Sequence, residues 1–166
     1  MRIIKTLAIL LVISACGGGG GSNAPDISDD PDLGNSSDES CSAYSSNIGN
    51  GSTFNCSIVH DNIDRQFFVY IGSGYDSNSP VLFVLHGYTS RGLWIMNYSG
   101  FQSIADDNGF IVVYPQGTLL PATGQTHWNV GGWTTSSSTD DVGFIDSLIE
   151  FLDCLLYTSD AADERL

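Results

Sequence analysis

Two short runs of uninterrupted apolar residues lie in the middle of the chain, Val81–Leu85 and Phe110–Tyr114. Runs of this kind are typical of strands that are covered on both faces, as in parallel sheets. Between them, residues 94–108 carry apolar side chains at helical spacing, and Gly109 is placed to end a helix. Pro115 stops the second run. The order strand, helix, strand predicts that the two strands pair in parallel.

The segments before and after this unit predict further elements. Ser57–His60 and Gln66–Ile71 flank the turn-like stretch Asp61–Asp64, which indicates an antiparallel hairpin. After a long loop, Thr139 or Asp140 can cap a helix. The predicted buried face of this helix consists of Val142, Ile145, Ile149 and Leu152.

The predicted fold class is therefore α/β, with a mostly parallel sheet, helices on both faces and an antiparallel leading hairpin. This pattern is similar to the N-terminal half of the α/β-hydrolase fold, and we expect residues 41–153 to form it.

The first residues of the chain read as a targeting segment. Arg2 and Lys5 precede the apolar run Leu7–Ile13, which is too short to remain as a membrane span. The run closes on Ile-Ser-Ala-Cys at residues 13–16, which resembles the lipobox of bacterial lipoproteins. That resemblance implies a signal peptide over residues 1–15 and a lipidated Cys16 as the first residue of the mature protein. The alternative is an ordinary secretory signal.

The expected location follows from this segment. Gly17 after the lipidated position differs from the aspartate that retains lipoproteins at the inner membrane, which favours the bacterial outer membrane. Without lipidation, the product would be periplasmic or secreted. Residues 16–40 are rich in Gly, Ser and Asp and carry few apolar side chains, so we expect a disordered tether. Contact with the membrane is expected through the lipid anchor only.

The net charge limits which partners are expected, and the cysteines predict a disulfide. The chain has 5 Lys+Arg and 19 Asp+Glu, a formal net charge of −14. Such a surface cannot neutralise phosphates, which excludes nucleic acid and anionic membrane surfaces as partners. Cys41 and Cys56 are expected to form a disulfide, which the loop-closure model values at about 3 kcal/mol. No His or Cys pair has metal-ligand spacing, so neither a metal nor another cofactor is predicted.

His86, Gly87 and Tyr88 follow the first apolar strand and form the candidate chemical site. Sites in open parallel sheets lie beyond the carboxyl ends of the strands, and acyl transfer through a serine needs N–H donors that face the oxyanion. Gly87 lets the backbone turn its amides toward such a site without a Cβ in the way. We therefore predict the backbone N–H of Tyr88 as an oxyanion donor, with Thr89 as the neighbour that can replace it.

We expect the three histidines to have different locations and roles. His86 is expected to brace the loop by hydrogen bonds; the alternative role, a catalytic base, needs a nucleophile within reach. His60 is expected at the surface or at the sheet edge. His127 lies in the long loop, where it either lines the cleft or has a structural role.

Four stretches carry a resemblance to a known family: "VLFVLHGYTS", "IADDNGFIVVYPQGT", "HWNVGG" and "DDVGFIDSLIEFL". They resemble the exported esterases known as polyhydroxybutyrate depolymerases and feruloyl esterases, from about Ile58 to Asp153. The resemblance implies a serine hydrolase that cleaves ester bonds in polyesters or in plant-wall feruloyl esters.

Loop aromatics are candidates for substrate contact in such an enzyme. Trp128 and Trp133 either stack on an aromatic acyl group or pack the loop onto the sheet; Trp128 is the predicted substrate-binding residue. Asp140 and Asp141 can pass for a carboxylate pair, but they are expected to begin a helix, where negative charge is favourable.

The nucleophile motif G-x-S-x-G does not occur in the sequence. In the family, the serine, acid and histidine of the triad come after the helix that begins near Asp140. Residues 154–164 instead match the translation of a sequencing adapter with a transposon end, so we expect residues 154–166 not to be native.

We therefore expect a truncated serine esterase that is inactive as a fragment. Two alternatives use the same fold. One is a non-catalytic surface lipoprotein that binds a polymer or glycan, and the other is an exported serine peptidase.

Overall fold

The structure, a computed structural model, describes residues 39–76 and 78–163. Within them, the main sheet consists of Glu39–Ala43 (β1), Ser52–His60 (β2), Ile63–Ile71 (β3), Val81–Phe83 (β4) and Ile111–Pro115 (β5). The helices are Gly92–Ser99 (α1), Phe101–Asn108 (α2) and Asp141–Asp163 (α3). A small ribbon is formed by Thr118–Leu119 (β6) and Thr126–His127 (β7). Nowhere in these residues is a helix both long and apolar enough to cross a membrane.

The N-terminal expectations fall mostly outside this range. The predicted signal peptide over residues 1–15, Cys16 and the tether as far as residue 38 lie outside the described residues. Strand β1 begins at Glu39, so the last two residues of the predicted tether belong to the sheet. The predicted disulfide between Cys41 and Cys56 is present and joins β1 to β2.

The sheet is mixed, with strand order β1-β2-β3-β5-β4. The pairs β1/β2, β2/β3 and β3/β5 are antiparallel, and β4/β5 is parallel. The expectation of a mostly parallel sheet is therefore wrong for the described strands. The reason is that the chain enters the sheet as a three-strand meander, to which the strand–helix–strand unit adds a single parallel pair.

The predicted hairpin joins β2 to β3, but its turn is shorter than expected. His60 pairs with Ile63, which leaves only Asp61 and Asn62 in the turn. Their φ angles are 51° and 59°, as a two-residue type I′ turn requires. Asp and Asn are the non-glycine residues that best tolerate this left-handed conformation, so the strands extend further toward the turn than the apolar pattern indicates.

The predicted helix over residues 94–108 is two helices. Gly100 separates them with a φ of 75°, a left-handed conformation that ends α1 and redirects the chain into α2. Gly109 ends α2 with a φ of 65°, as predicted.

Strand β5 forms the centre of the molecule, and all five of its residues are buried. Side chains alternate between the two faces of a strand. Ile111 and Val113 pack in one cluster, and Val112 and Tyr114 pack in another. The first cluster contains Phe144, Leu148 and Leu152 of α3, and the second contains Met96 of α1 and Ala105 of α2. Helices on both faces explain why this run is apolar at every position.

Strand β4 lies at the end of the strand order and is only half-buried. The expected coverage of Val81–Leu85 on both faces is therefore not found in the described residues, and Leu85 is an exposed side chain. Val84 continues the pairing with a backbone hydrogen bond to Val113. The carboxyl end of β4 leads directly into the loop that carries His86.

Helix α3 begins where the sequence predicts but buries a different face. Its cap is Asp140, whose Oδ1 accepts a hydrogen bond from the Gly143 N–H at 2.9 Å. Val142 is 74% exposed and Ile149 44% exposed, so the predicted buried face is wrong at these two positions. Leu152 is buried as predicted, and Phe144 and Leu148, at four-residue spacing before it, complete the buried face. The helix continues to Asp163, through most of the segment predicted not to be native.

Candidate functional site

The candidate site is the loop 86–91, between β4 and α1. It lies at the carboxyl end of a strand that pairs in parallel with its neighbour, the position where sites of open α/β sheets form. Backbone hydrogen bonds hold both halves of the loop. The Ser90 N–H donates to the Gly87 carbonyl at 3.1 Å, and the Thr89 N–H donates to the Thr126 carbonyl at 2.9 Å.

His86 is buried beneath this loop and uses both ring nitrogens. Its Nδ1 lies 2.7 Å from the Gly87 carbonyl oxygen, and its Nε2 accepts a hydrogen bond from the Gly117 N–H at 2.9 Å. Because Nε2 accepts, the proton of the neutral imidazole sits on Nδ1 and is donated to Gly87. Burial lowers the pKa of His86, although the Gly87 carbonyl and the charge of Asp141 oppose the shift. The ring is therefore a neutral structural element of the loop.

The Gly87–Tyr88 peptide has a fixed orientation. Its carbonyl oxygen accepts hydrogen bonds from the His86 ring and from the Ser90 N–H. Carbonyl and N–H of a trans peptide point in opposite directions, so the Tyr88 N–H points away from His86. Among the described residues, this N–H has no hydrogen-bond acceptor. It is available to an oxyanion, whereas the N–H of Thr89, the predicted substitute, is already occupied by Thr126.

Gln116 and Gly117, which follow β5, also support the loop 86–91. The sequence did not predict this role. Gln116 accepts a hydrogen bond from the Gly92 N–H at 3.0 Å, and its side-chain nitrogen lies 3.2 Å from His86 Nε2. A Cβ at position 117 would overlap the His127 carbonyl. Gly117 is thus small enough to bring its N–H to His86. The Gln-Gly of the "YPQGT" stretch therefore connects β5 to the loop and to the start of α1.

The two loop tryptophans have different positions. Trp128 is partly buried, donates its indole N–H to the His86 carbonyl at 2.9 Å, and lies with its ring centroid 5.1 Å from that of His86. Trp133 is 61% exposed, and its ring meets Tyr88 edge to face at a centroid distance of 4.9 Å. Of the two roles expected for Trp128, substrate stacking and loop packing, these contacts with His86 fit the packing role. The exposed indole in contact with the Tyr88 ring is Trp133.

A buried ion pair fixes the loop that carries Trp133. Arg65 on β3 is 2% exposed and places Nη2 2.7 Å from Asp141 Oδ1. The other carboxylate oxygen of Asp141 accepts the Asn129 N–H at 2.6 Å. Burial lowers the pKa of Arg65, while the hydrogen bond and charge of Asp141 raise it. The guanidinium also lies 3.8 Å from the centre of the Phe144 ring. Sequence reasoning missed this pair.

The remaining histidines do not line the loop 86–91. His127 is fully buried, and its Nδ1 lies 3.0 Å from the Thr118 carbonyl. His60 lies at the end of β2, where its Nε2 is 3.6 Å from Asp140 and 3.9 Å from Asp61. The ligand atoms of these three residues lie within 4.8 Å of one another, a grouping that the sequence analysis did not predict. Both aspartates are exposed, and exposed acidic groups often cluster without an ion, so we assign no metal there.

His60 also contacts a serine in an arrangement that looks like a catalytic triad. Ser147 Oγ lies 3.1 Å from His60 Nδ1, on the ring edge opposite Asp140. The Ser147 hydroxyl, however, donates to the Gly143 carbonyl at 2.9 Å, so its proton is not directed at the histidine. Ser147 lies inside α3, where backbone amides are taken up by helical hydrogen bonds. The contact is structural.

No protein-family model matches the chain. A curated protein to which it is similar is the bifunctional acetylxylan esterase/xylanase XynS20E of Neocallimastix patriciarum, with 31% identity over 86 residues. The matched residues are 52% of this chain and 11% of that protein, so the chain spans about one tenth of the relative's length. The similarity is a distant one to a protein with esterase activity.

Proposed function

We propose that the chain is the N-terminal part of an exported serine esterase of α/β-hydrolase fold, in which the Tyr88 amide stabilises the oxyanion. The observation that carries this proposal is the fixed Gly87–Tyr88 peptide, whose N–H is directed away from His86 and has no acceptor among the described residues. A donor that is oriented before the reaction needs no reorganisation as negative charge develops on the substrate oxygen.

Strand topology supports the proposed fold. An antiparallel meander is followed by a parallel pair, and β4 follows β5 in the strand order although it precedes β5 in sequence. This order fits the leading strands of an α/β-hydrolase sheet, with the next strand beyond the open edge of β4. Helices on both faces of β5 fit the same architecture.

The proposed reaction is acyl transfer through a covalent intermediate. A serine hydroxyl supplied from beyond α3 attacks the ester carbonyl, and its proton passes to a histidine base. The carbonyl oxygen becomes negatively charged and accepts a hydrogen bond from the Tyr88 N–H, a contact of a type worth about 3–4 kcal/mol. The alcohol leaves with the proton from the histidine, and water then releases the acid from the serine.

The proposed substrates are esters on plant-wall polymers, with polyesters as the competing class. The esterase in the name of the similar protein acts on acetylxylan, and the resemblance in the sequence extends to feruloyl esterases. We further propose that Cys16 carries a lipid anchor at the bacterial outer membrane. The Cys41–Cys56 disulfide supports an exported location, because disulfides persist in oxidising compartments.

A non-catalytic glycan-binding protein is the second candidate, favoured by one observation. Tyr88 and Trp133 form an exposed aromatic pair beside the loop, which a binding protein could use without any nucleophile.

The first experiment is to determine the genomic sequence beyond the codon for Asp153. The esterase proposal predicts a G-x-S-x-G motif followed by an acid and a histidine. The protein encoded by that gene should release acetate, ferulate or hydroxybutyrate from the corresponding polymers. Absence of the motif, or a purified product that hydrolyses no ester, would overturn the proposal and leave the binding function.

A second experiment addresses the Tyr88 amide in that protein. Tyr88→Pro removes the N–H, and we expect kcat to fall about 100- to 1,000-fold. Tyr88→Phe keeps the N–H and is the matched control, with kcat close to that of the unchanged protein. Equal rates for the two variants would exclude the Tyr88 amide as the oxyanion donor.

A further inference from the structure

The surface at Tyr88 carries two exposed aromatic rings that contact each other. Trp133 is 61% exposed and Tyr88 44% exposed, and the two rings meet edge to face with an angle of 80° between their planes. Two perpendicular rings form a corner, and most of the indole surface remains open to solvent. Burying such side chains is favourable in water, so leaving both exposed at one place indicates a surface that a ligand covers.

The Tyr88 side chain and the backbone that carries Trp133 are both held by hydrogen bonds. The Tyr88 hydroxyl donates a hydrogen bond to Thr123 Oγ1 at 2.9 Å. Trp133 lies in the 3-10 turn Gly132–Thr134, and Thr134 is fully buried. The Thr134 hydroxyl donates to the Gly131 carbonyl at 2.8 Å, which closes the turn. Rigid aromatic side chains lose little conformational entropy when a ligand binds, as in other recognition surfaces built on Tyr and Trp.

The loop beneath Trp133 is anchored to the core. The Asn129 N–H donates to Asp141, and its side-chain nitrogen donates to the Thr139 carbonyl at 2.9 Å. Asp141 is itself paired with the buried Arg65. The loop that carries Trp133 is thus joined to the network that links β3 and α3.

The chemistry of this surface fits a neutral sugar ring. The C–H groups on a pyranose face carry partial positive charge, which the negative face of an aromatic ring attracts. Sugar hydroxyls need hydrogen-bonding partners around the rings. Thr123 contacts the Tyr88 hydroxyl, and the exposed residues Thr135 and Ser136 follow Trp133 closely in the sequence. A polyester offers methyl groups and ester oxygens but no flat C–H face. The net charge of −14 disfavours acidic polysaccharides.

We infer that Tyr88 and Trp133 form a binding platform for a pyranose ring of a neutral polysaccharide of the xylan class. The inference rests on the proposed function in one respect, because it places the sugar that bears the ester beside the Tyr88 amide. It assigns the aromatic contact to Trp133 in place of Trp128, and it names the polymer backbone, in addition to the acyl group, as a determinant of specificity.

The test is calorimetric titration of the full chain with xylohexaose, which carries no ester and therefore reports binding without turnover. Trp133→Ala is expected to weaken binding about tenfold, the size of a typical aromatic stacking contact. Trp133→Phe should retain most of the affinity. The matched control is Trp94→Ala, because Trp94 belongs to α1, is 52% exposed and has no ring contact with Tyr88 or Trp133 among the described residues. The affinity of Trp94→Ala for xylohexaose is expected to differ from that of the unchanged chain by less than about twofold.

Each result decides the inference. Binding that is lost in Trp133→Ala and kept in Trp94→Ala supports it. Overturning results are no binding of xylohexaose to the unchanged chain, equal weakening in both alanine variants, or binding of a hydroxybutyrate trimer in place of the sugar. Because the probe contains no ester, these outcomes are independent of the hydrolysis assay. If the protein hydrolyses esters but does not bind xylohexaose, the proposed sugar-binding platform is overturned and the proposed esterase function is not.

Discussion

The Nδ1 atom of His86 lies 2.7 Å from the carbonyl oxygen of Gly87, the residue that follows it. Through this short contact, the histidine fixes the orientation of the peptide between Gly87 and Tyr88. The ring is in turn held by the Gly117 N–H on its other nitrogen. One neutral imidazole therefore connects the end of β5 to the amide that we propose as the oxyanion donor.

Removal of the His86 ring should loosen the loop. In His86→Ala, we expect the amide protons of Thr89 and Ser90 to exchange with solvent about tenfold faster, because their local hydrogen bonds lose a support worth about 1–2 kcal/mol. Hydrogen exchange by NMR on the full chain measures this. His60→Ala is the matched control, since His60 lies on the hairpin away from the loop. Unchanged exchange in His86→Ala would contradict the bracing role.

The His86 ring should also make stability depend on pH. Its pKa in the folded protein is below the ordinary value because the ring is buried. The unfolded chain therefore takes up a proton near pH 6.5, while the folded chain resists it. The contribution to the free energy of unfolding is complete above about pH 6.5 and is lost as the pH falls through the folded pKa.

Denaturant unfolding from pH 7.5 to pH 5 measures this effect. The difference between the unchanged chain and His86→Gln should shrink as the pH falls, because glutamine does not titrate in this range. A difference that is constant, or that grows toward pH 5, would contradict the assignment of a neutral ring.

Breaking the buried ion pair should be costly. Asp141→Asn leaves the Arg65 guanidinium buried without a counter-charge, and we expect the free energy of unfolding to fall by about 3–5 kcal/mol. The neighbouring variant Asp140→Asn is the control. It keeps a good helix cap, and the charge that it removes is exposed, lies 3.6 Å from the partly buried His60 and is only a minor influence on Arg65, so its expected change is within about 1 kcal/mol. Denaturant unfolding compares the two, and equal losses would contradict the role of the pair.

The carboxylate of Asp106 accepts hydrogen bonds from two backbone N–H groups and one hydroxyl, so its charge should contribute to the free energy of unfolding. Its carboxylate accepts hydrogen bonds from the Asn50 N–H at 2.6 Å, the Ser73 N–H at 2.9 Å and the Tyr70 hydroxyl at 2.8 Å. Desolvation raises the pKa of Asp106, but these donors outweigh it and lower the pKa overall. Asp106→Asn turns one acceptor into a donor that faces other donors. We expect a loss of about 1–3 kcal/mol in the free energy of unfolding.

The adjacent Asp107 supplies the control for this variant. It is exposed, so Asp107→Asn should change the free energy of unfolding by less than about 0.5 kcal/mol. If both variants unfold at the denaturant concentration of the unchanged chain, the proposed connection carries no stability.

Local signals predicted several elements well. The apolar run before Pro115 is a buried strand, Gly109 ends a helix, Asp140 caps the next one, and the pair Cys41–Cys56 forms a disulfide. Each of these depends on the chemistry of a few adjacent residues or on a pair of cysteines. Such information is present in the sequence itself.

Other features depend on partners that are distant in the chain. Arg65 lies between the predicted turn and the predicted strand Gln66–Ile71, and its burial accompanies its pairing with Asp141, which lies 76 positions later. The buried face of α3 is set by the position of β5, so Phe144 and Leu148 point inward although Val142 is equally apolar. Gln116 supports the loop only because the fold brings it next to Gly92. None of these contacts has a local signal.

The disulfide has a mechanical consequence. Strand β1 is the outermost strand of the sheet, and Cys41 bonds it covalently to Cys56 in the second strand. A force applied to the chain ahead of Glu39 would be transmitted to the second strand through the disulfide. The hydrogen bonds between the two strands would then not carry this force. Under reducing conditions the same force would unzip the outer strand one pair at a time.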